Sequence, residues 1–355
     1  MPAGRRSRRA AGPASLLVTP VPWPGHTAVT RPAAAATVRR STAPRCPVAS
    51  PTVADLVLGA NVVGWTADRD TSFAVLDAFV AAGGTRIDTA DSYTWRAPGN
   101  SGGESETILG EWMAARGNRD TLHLATKVGS WPERPGLGGA NVAAAARDSL
   151  RRLGTDRIDL YYAHRDDPDT AQEETLDAFD ALVREGLVRE IGASNFSAER
   201  LRSALEISER DGLAAFTAVQ PHYNLMERDD VEAALVPLAE SAGLALYPYY
   251  GLAKGFLTGK YRPDSPAPEG PRSEGASAYL DSRGRAVLAG LDEIAAGHEV
   301  PVPAVALAWL AAQPSVTAPI ASARTPEQLA QLLPMRTLEL THDELRLLSY
   351  LSATS

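Results

Sequence analysis

From Asp55 onward the chain repeats one pattern: a short apolar run, a turn, then an amphipathic stretch of ten or more residues. The runs that read as strands are LVLGAN (56–61), RIDTA (86–90), LHLATKV (122–128), RIDLYYAH (157–164), VREIGASN (188–195), FTAVQPHYN (216–224), LALYPYY (244–250) and VTAPIAS (316–322). Between them lie helical patterns such as DTSFAVLDAFVAAG, ESETILGEWMAARG, NVAAAARDSLRRLG, EETLDAFDALVREG and SAERLRSALEISERDG, several closed by a glycine of the kind that ends helices. Strands alternating with helices imply right-handed parallel βαβ units, in a closed barrel or in an open doubly wound sheet. An open dinucleotide-binding sheet places G-x-G-x-x-G at its first strand-to-helix turn, but here the first strand runs into GANVVGWTADRD, and GLGGA (136–140) follows no strand. The prediction is a single-domain α/β fold over 51–355, a (β/α)8 TIM barrel with every strand's C-terminal end at one mouth.

Composition fits this reading. The chain has 355 residues and 44% hydrophobic content, enough for such a barrel. No stretch approaches the roughly 20 uninterrupted apolar residues of a membrane helix, so a soluble chain without a membrane partner is expected. The single cysteine, Cys46, excludes an internal disulfide framework and a multi-Cys zinc site, and suits a reducing cytoplasm. Residues 1–50 hold eight Arg and no acid, so the net charge of −8 understates how acidic the rest is, which argues against a nucleic-acid partner. That head, rich in Pro, Ala and Arg and without periodicity, is predicted to be a disordered extension.

The predicted strands end on polar residues: Asn61, Asp88 with Tyr93, Lys127, His164, Ser194 with Asn195, Gln220 with His222 and Asn224, Tyr249 with Tyr250, and Ser322. A phenol is a poor acid near neutral pH unless a cation makes its anion less costly. Lys127, ending the strand next to that of Asp88, can supply the cation, Asp88 can hold the ammonium, and His164 can offer an N–H to the oxygen that Tyr93 protonates. This set suits proton delivery to a carbonyl oxygen, and since no side chain donates hydride, a nicotinamide is the natural source. Asp91 reads as a loop residue.

The motifs IDTADSY, GGESETILG, ATK, DLYYAHRDD, GASNFS, VQPHYNL, LAKGFLTGKY and ARTPEQL, in this order, closely resemble the aldo-keto reductase superfamily, in the branch related to potassium-channel β subunits. The resemblance runs from about Leu56 to the C-terminus and implies that Asp88, Tyr93, Lys127 and His164 form the catalytic tetrad, with Tyr93 as general acid. It implies NADP(H) laid across the barrel mouth. Ser194, Asn195 and Gln220 would hold the nicotinamide carboxamide, Tyr249 would stack on the ring, and Tyr250, Gly251, Leu252, Gly255 and Lys260 would follow the pyrophosphate. Arg324 and the amides opening the next helix would take the 2′-phosphate, with Ser322 and Gln328 alongside. The chain departs from the family where YYGLA replaces Tyr-Ser-Pro-Leu-Ala, where Gln331 and Leu332 replace a Glu-Asn pair, and where Ser322 replaces a glycine.

The expected substrate is a small-molecule aldehyde, ketone or keto-sugar, chosen by the loops 95–103 and 261–281, with Trp65, Trp95 and Trp131 lining its pocket. The molecule is expected to be a monomer or small homo-oligomer. A rival reading keeps the fold as a non-catalytic NADPH-binding sensor or accessory subunit. Another, a metal-dependent enzyme using Asp88, Asp91, His164 and His222, is set aside because Lys127 among them would repel the ion, so no metal is expected.

Overall fold

The computed structural model describes residues 55–263, 265–266 and 268–354; the extension predicted over 1–50, with Cys46, lies outside the described residues. Eight parallel strands form one sheet: β1 (Val57–Gly59), β2 (Arg86–Asp88), β3 (His123–Val128), β4 (Ile158–Ala163), β5 (Val188–Ser194), β6 (Phe216–Gln220), β7 (Ala245–Leu246) and β8 (Ile320–Ala321). β1 pairs with both β2 and β8. The seam between β7 and β8 is closed by the Leu246–Val316 bridge and by the amides of Thr317 and Ile320, which donate to Leu246 O and Pro248 O, each at 2.8 Å. The result is the (β/α)8 barrel.

All eight predicted strands are present in order, and three are shortened for one reason. Pro221, Pro248 and Pro319 stand inside the predicted runs 216–224, 244–250 and 316–322, and proline has no N–H for the ladder, so β6 stops at Gln220, β7 stops at Leu246 and β8 begins at Ile320. A short hairpin pairing Ser130–Trp131 with Arg134–Pro135 follows β3 and was not expected from the sequence.

The wrapping helices are α1 (Arg69–Ala81), α2 (Glu104–Arg116), α3 (Gly139–Leu153), α4 (Gln172–Arg184), α5 (Ala198–Asp211) and α6 (Val236–Ala242). After β7 come α7 (Ser273–Ser277), α8 (Ser282–His298) and α9 (Val302–Ala311), and after β8 come α10 (Pro326–Leu332) and α11 (His342–Leu351). Asp68, Ser197 and Asp281 cap α1, α5 and α8 by accepting an amide of the first turn. Gly117, Gly154 and Gly212 end α2, α3 and α5 in the left-handed conformation. No single helix among the described residues is long and apolar enough to cross a membrane.

Side chains two apart share a strand face, which sorts the core into layers. Val57, Ala125, Leu160, Tyr162, Ala218, Tyr247 and Ile320 form one cluster inside the barrel. The alternate positions, among them Leu58, Ile87, Leu124, Tyr161, Ala163 and Val219, pack outward against the helices. Gly192 makes room for the inner layer, since a Cβ there would sit 2.6 Å from the Tyr162 ring. The same alternation continues the inner face to Asp88 on β2, Lys127 on β3, Ser194 on β5 and Gln220 on β6, so the last inward position of these four strands is polar and lies toward the mouth.

Candidate active site

Lys127 is the hub of that polar layer. Its fully buried ammonium donates to Asp88 Oδ2 at 2.6 Å, to the Thr89 carbonyl at 2.7 Å and to the Tyr93 hydroxyl at 2.8 Å, so each of its three protons has an acceptor. Tyr93 in turn donates to Asp88 Oδ2 at 3.2 Å, and the ammonium sits 4.6 Å from the centre of its ring. Neighbouring strands make this possible: Asp88 pairs in register with Ala125, placing Lys127 one inward step further along β3.

The electrostatics correct one expectation. Lys127 was expected to pull the Tyr93 phenol down, whereas burial, and then the Asp88 carboxylate, hold the phenol well above its ordinary range. In the resting site Tyr93 therefore stays protonated, with the Lys127 ammonium donating to its oxygen. Burial drags Lys127 below the ordinary lysine range, with Asp88 opposing.

His164, expected beside Tyr93, is there: the two rings meet edge to face with centroids 5.9 Å apart. Burial, then Lys127 and Arg165, push His164 well below the ordinary histidine range, so the imidazole is neutral. Ser92 Oγ lies 3.5 Å from Nδ1. With Nδ1 as acceptor, Nε2 carries the proton toward the cavity.

Behind this group runs a second network. Gln220 donates to Asp88 Oδ1 at 2.9 Å and its backbone carbonyl accepts from Ser194 Oγ at 2.9 Å. Asn195, in the left-handed conformation at φ 56°, donates to His164 O at 2.9 Å and accepts from the Tyr249 hydroxyl at 2.7 Å. The three side chains expected on the cofactor carboxamide therefore already brace Asp88 and His164 within the chain. His222 stacks under Tyr249, with centroids 5.2 Å apart and planes 15° from parallel, so one face of Tyr249 is backed while Tyr249 lines the mouth. Among the described residues no group of three or more His, Cys, Asp or Glu is placed to hold a metal ion.

The mouth opens into a cavity of about 730 Å³. Asp88, Tyr93, His164, Ser194, Asn195, Gln220 and Tyr249 line it, as do Tyr250, Gly251, Leu252, Gly255, Lys260, Ser322, Arg324 and Gln328. Lys127 lies beneath Tyr93, outside this lining. Of the three tryptophans expected to line a substrate pocket, only Trp65 does. Trp131 is held between Arg134 and Arg152, each 5.6 Å from its ring, with its indole against Gly102. Trp95 pairs with Arg96 at 4.9 Å.

The segment after β7 wraps the cavity through strained backbone. Tyr250, Ala253, Lys254 and Gly255 have φ of 54°, 47°, 59° and 100°, and the three non-glycines each cost about 1–2 kcal/mol there. The twist helps place Lys254 on the cavity wall with Lys260, Arg272 and Arg324, among which Glu269 is the one acid on that side. Burial, Arg324 and Arg272 all lower Lys260, the mark of a cationic site. Lys254 and Arg272 were missed in the sequence, although both lie in stretches singled out there. Ser322 is not in the left-handed region; its hydroxyl donates to Asn61 Oδ1 at 2.8 Å, so the serine costs no needed freedom. The start of α10 differs from expectation: Gln328 Oε1 accepts the Arg324 amide and Thr325 Oγ1 accepts the Gln328 amide, so these donors are used within the chain. The Arg324 guanidinium makes no hydrogen bond or ion pair to the described residues. A large cleft with four cations at one side and amide and hydroxyl groups near the phenol is chemically fitted to an anionic nucleotide with a polar planar head.

The family model for the aldo/keto reductase family matches residues 55–352. The chain belongs to that family, and so is an oxidoreductase of the class that acts on small-molecule carbonyl compounds. It is 30% identical to an aryl-alcohol dehydrogenase of Pestalotiopsis microspora, over 84% of this chain and 79% of the relative. It is 34% identical to a norsolorinic acid reductase of Emericella nidulans, over 84% and 78%. It is 35% identical to an aflatoxin B1 aldehyde reductase of Rattus norvegicus, over 70% and 65%.

Proposed function

We propose that the protein reduces an aldehyde or ketone to an alcohol with NADPH, with Tyr93 as general acid. The observation that carries this reading is the Lys127 ammonium shared between Asp88 at 2.6 Å and the Tyr93 hydroxyl at 2.8 Å on the cavity floor. When bound, the nicotinamide nucleotide supplies the hydride to the carbonyl carbon. The carbonyl oxygen, becoming an alkoxide, takes the Tyr93 proton, and the Lys127 ammonium, 2.8 Å away, stabilises the phenolate until a proton returns to it from solvent through the open mouth. Neutral His164 orients the carbonyl oxygen by donating from Nε2 and does not compete as an acid.

Ser194 and Asn195 hold the carboxamide end, and Lys254, Lys260, Arg272 and Arg324 take the phosphates, including the 2′-phosphate that separates NADPH from NADH. Aromatic carbonyls are the favoured substrate class: Trp65 and Tyr250 give the pocket flat apolar walls, and the relatives named above include an aryl-alcohol dehydrogenase.

The test follows NADPH absorbance with the purified full chain and a panel of aromatic aldehydes and ketones, in parallel with Tyr93→Phe. Turnover by the wild type, and its loss in Tyr93→Phe with NADPH binding retained, is the expected result. A chain that neither binds nor oxidises NADPH, or a phenylalanine variant as active as wild type, overturns the reading.

A further inference from the structure

Arg165 follows His164 on the connection that leaves β4, and it lines the same cavity. In the order of the closed sheet β4 stands four strands from β8 in either direction, so Arg165 enters the mouth opposite Ser322 and Arg324. Its Nε donates to Ser130 Oγ at 2.9 Å. Ser130 belongs to the hairpin after β3, whose Trp131 is held between Arg134 and Arg152, so the acceptor sits on an anchored support. With Nε engaged, the edge of the guanidinium that remains is the terminal pair of nitrogens, which takes a carboxylate end-on through two parallel hydrogen bonds. The acids beside it are committed elsewhere. Asp166 accepts from the Arg200 guanidinium through both oxygens, at 2.7 and 2.8 Å, and Asp167 accepts from the Leu137 amide and the Thr170 hydroxyl, each at 2.7 Å. Of the two acids lining the cavity, Asp88 is held by Lys127 and Gln220, and Glu269 lies with the cations of the opposite wall. Among the described residues Arg165 is left with no ion pair.

We propose that Arg165 is a specificity-determining residue that binds an acidic group of the substrate, so that the carbonyl compounds reduced best are aromatic ones carrying a carboxylate, of the formylbenzoate class. This rests on the proposed reduction with Tyr93 as acid, and it narrows the substrate of that reaction. His164 orients the carbonyl oxygen, and consecutive Cα atoms stand about 3.8 Å apart, so a molecule whose carbonyl meets His164 presents its far end within the sweep of the Arg165 side chain. The Arg165 charge is felt by His164 and Tyr249, at the reacting end of the cavity, whereas Lys260 on the opposite wall feels Arg324 and Arg272. Nucleotide phosphates satisfy that wall and leave Arg165 to the substrate. Because Arg165 is exposed, its attraction is modest and is screened by salt.

The experiment measures kcat and KM at saturating NADPH with 3- and 4-formylbenzoate and with the neutral 3- and 4-formylbenzamides, which match them in size. Wild type, Arg165→Gln and Arg165→Lys are compared at low and high salt. The quantity read is the ratio of kcat/KM for acid over amide, and comparing that ratio between enzymes cancels the intrinsic reactivity of each aldehyde. The expected result is a ratio about fivefold to tenfold lower in Arg165→Gln, through a higher KM for the acid, partly kept in Arg165→Lys, and falling in the wild type as salt rises. A ratio that is the same in wild type and Arg165→Gln overturns the inference. If the glutamine variant does not fold, the wild type decides alone, and a ratio that salt leaves unmoved overturns the inference. A wild type that reduces no aldehyde removes both this inference and the proposed function, whereas reduction of the amides with an unchanged ratio in Arg165→Gln removes this inference alone.

Discussion

Gln220 donates its side-chain amide to Asp88 Oδ1 at 2.9 Å, joining β6 to β2 across the barrel. Because Lys127 and Tyr93 both use the other oxygen of Asp88, Gln220 fixes the carboxylate on which the whole set is built. Gln220→Leu therefore lowers kcat by about tenfold to a hundredfold, the equivalent of one hydrogen bond to a charged group, with the fold intact by circular dichroism. Unchanged kcat would place Gln220 outside the proton-donor group.

The pH profile follows from the shifts. Tyr93 is held protonated well above its usual range and His164 neutral well below its own, so neither titrates between pH 6 and 8. On the proposed mechanism Lys127, lowered by burial, is the group whose loss of a proton would end activity. Reduction by the wild type is expected to be flat through neutrality and to fall on the alkaline side, starting below the ordinary lysine value. Initial rates across a buffer series check this.

Asp91 carries a stability cost with a definite sign. Its value rises from 3.8 to about 7 on folding, so the contribution it makes below its unfolded value is lost as pH rises through about 7. The shift corresponds to about 4 kcal/mol at about 1.4 kcal/mol per unit. Asp91→Asn is expected to be more stable than wild type above pH 7 and to lose that advantage toward pH 4, as urea melts at several pH values would show.

The cationic wall predicts cofactor choice. Arg324→Ala is expected to raise KM for NADPH by about tenfold and leave KM for NADH nearly unchanged, as one charged contact would. Equal effects on both cofactors would move the 2′-phosphate site elsewhere.

Gly192 tests the inner layer. A methyl group there would meet the Tyr162 ring at 2.6 Å and the Ala218 carbonyl at 3.1 Å. Gly192→Ala is expected to destabilise the protein by about 1–3 kcal/mol in denaturant titration, without a change in NADPH affinity.

Strand positions and their polar ends were legible because a period of two is a local property, and Asp88, Tyr93, Lys127 and His164 follow from it. Strand ends were legible too, had Pro221, Pro248 and Pro319 been read as stops. What the sequence hides is what several elements decide together. Asp91 reads as a turn residue because its burial depends on α2, α3 and the hairpin closing over it. Lys254 reaches the cavity through left-handed backbone at non-glycine positions, which no propensity predicts. Trp131 reads as a pocket aromatic, but two arginines claim its faces.

Asp88 and Lys127 ride on strands, whose spacing is set by ladder register, and they hold Tyr93 in the short turn after β2, while most of the rim rides on longer connections such as the segment after β7. Grafting a different connection from a relative would change which carbonyl compound is admitted without retuning the acid. The barrel thus keeps reactivity and selectivity on separately replaceable parts.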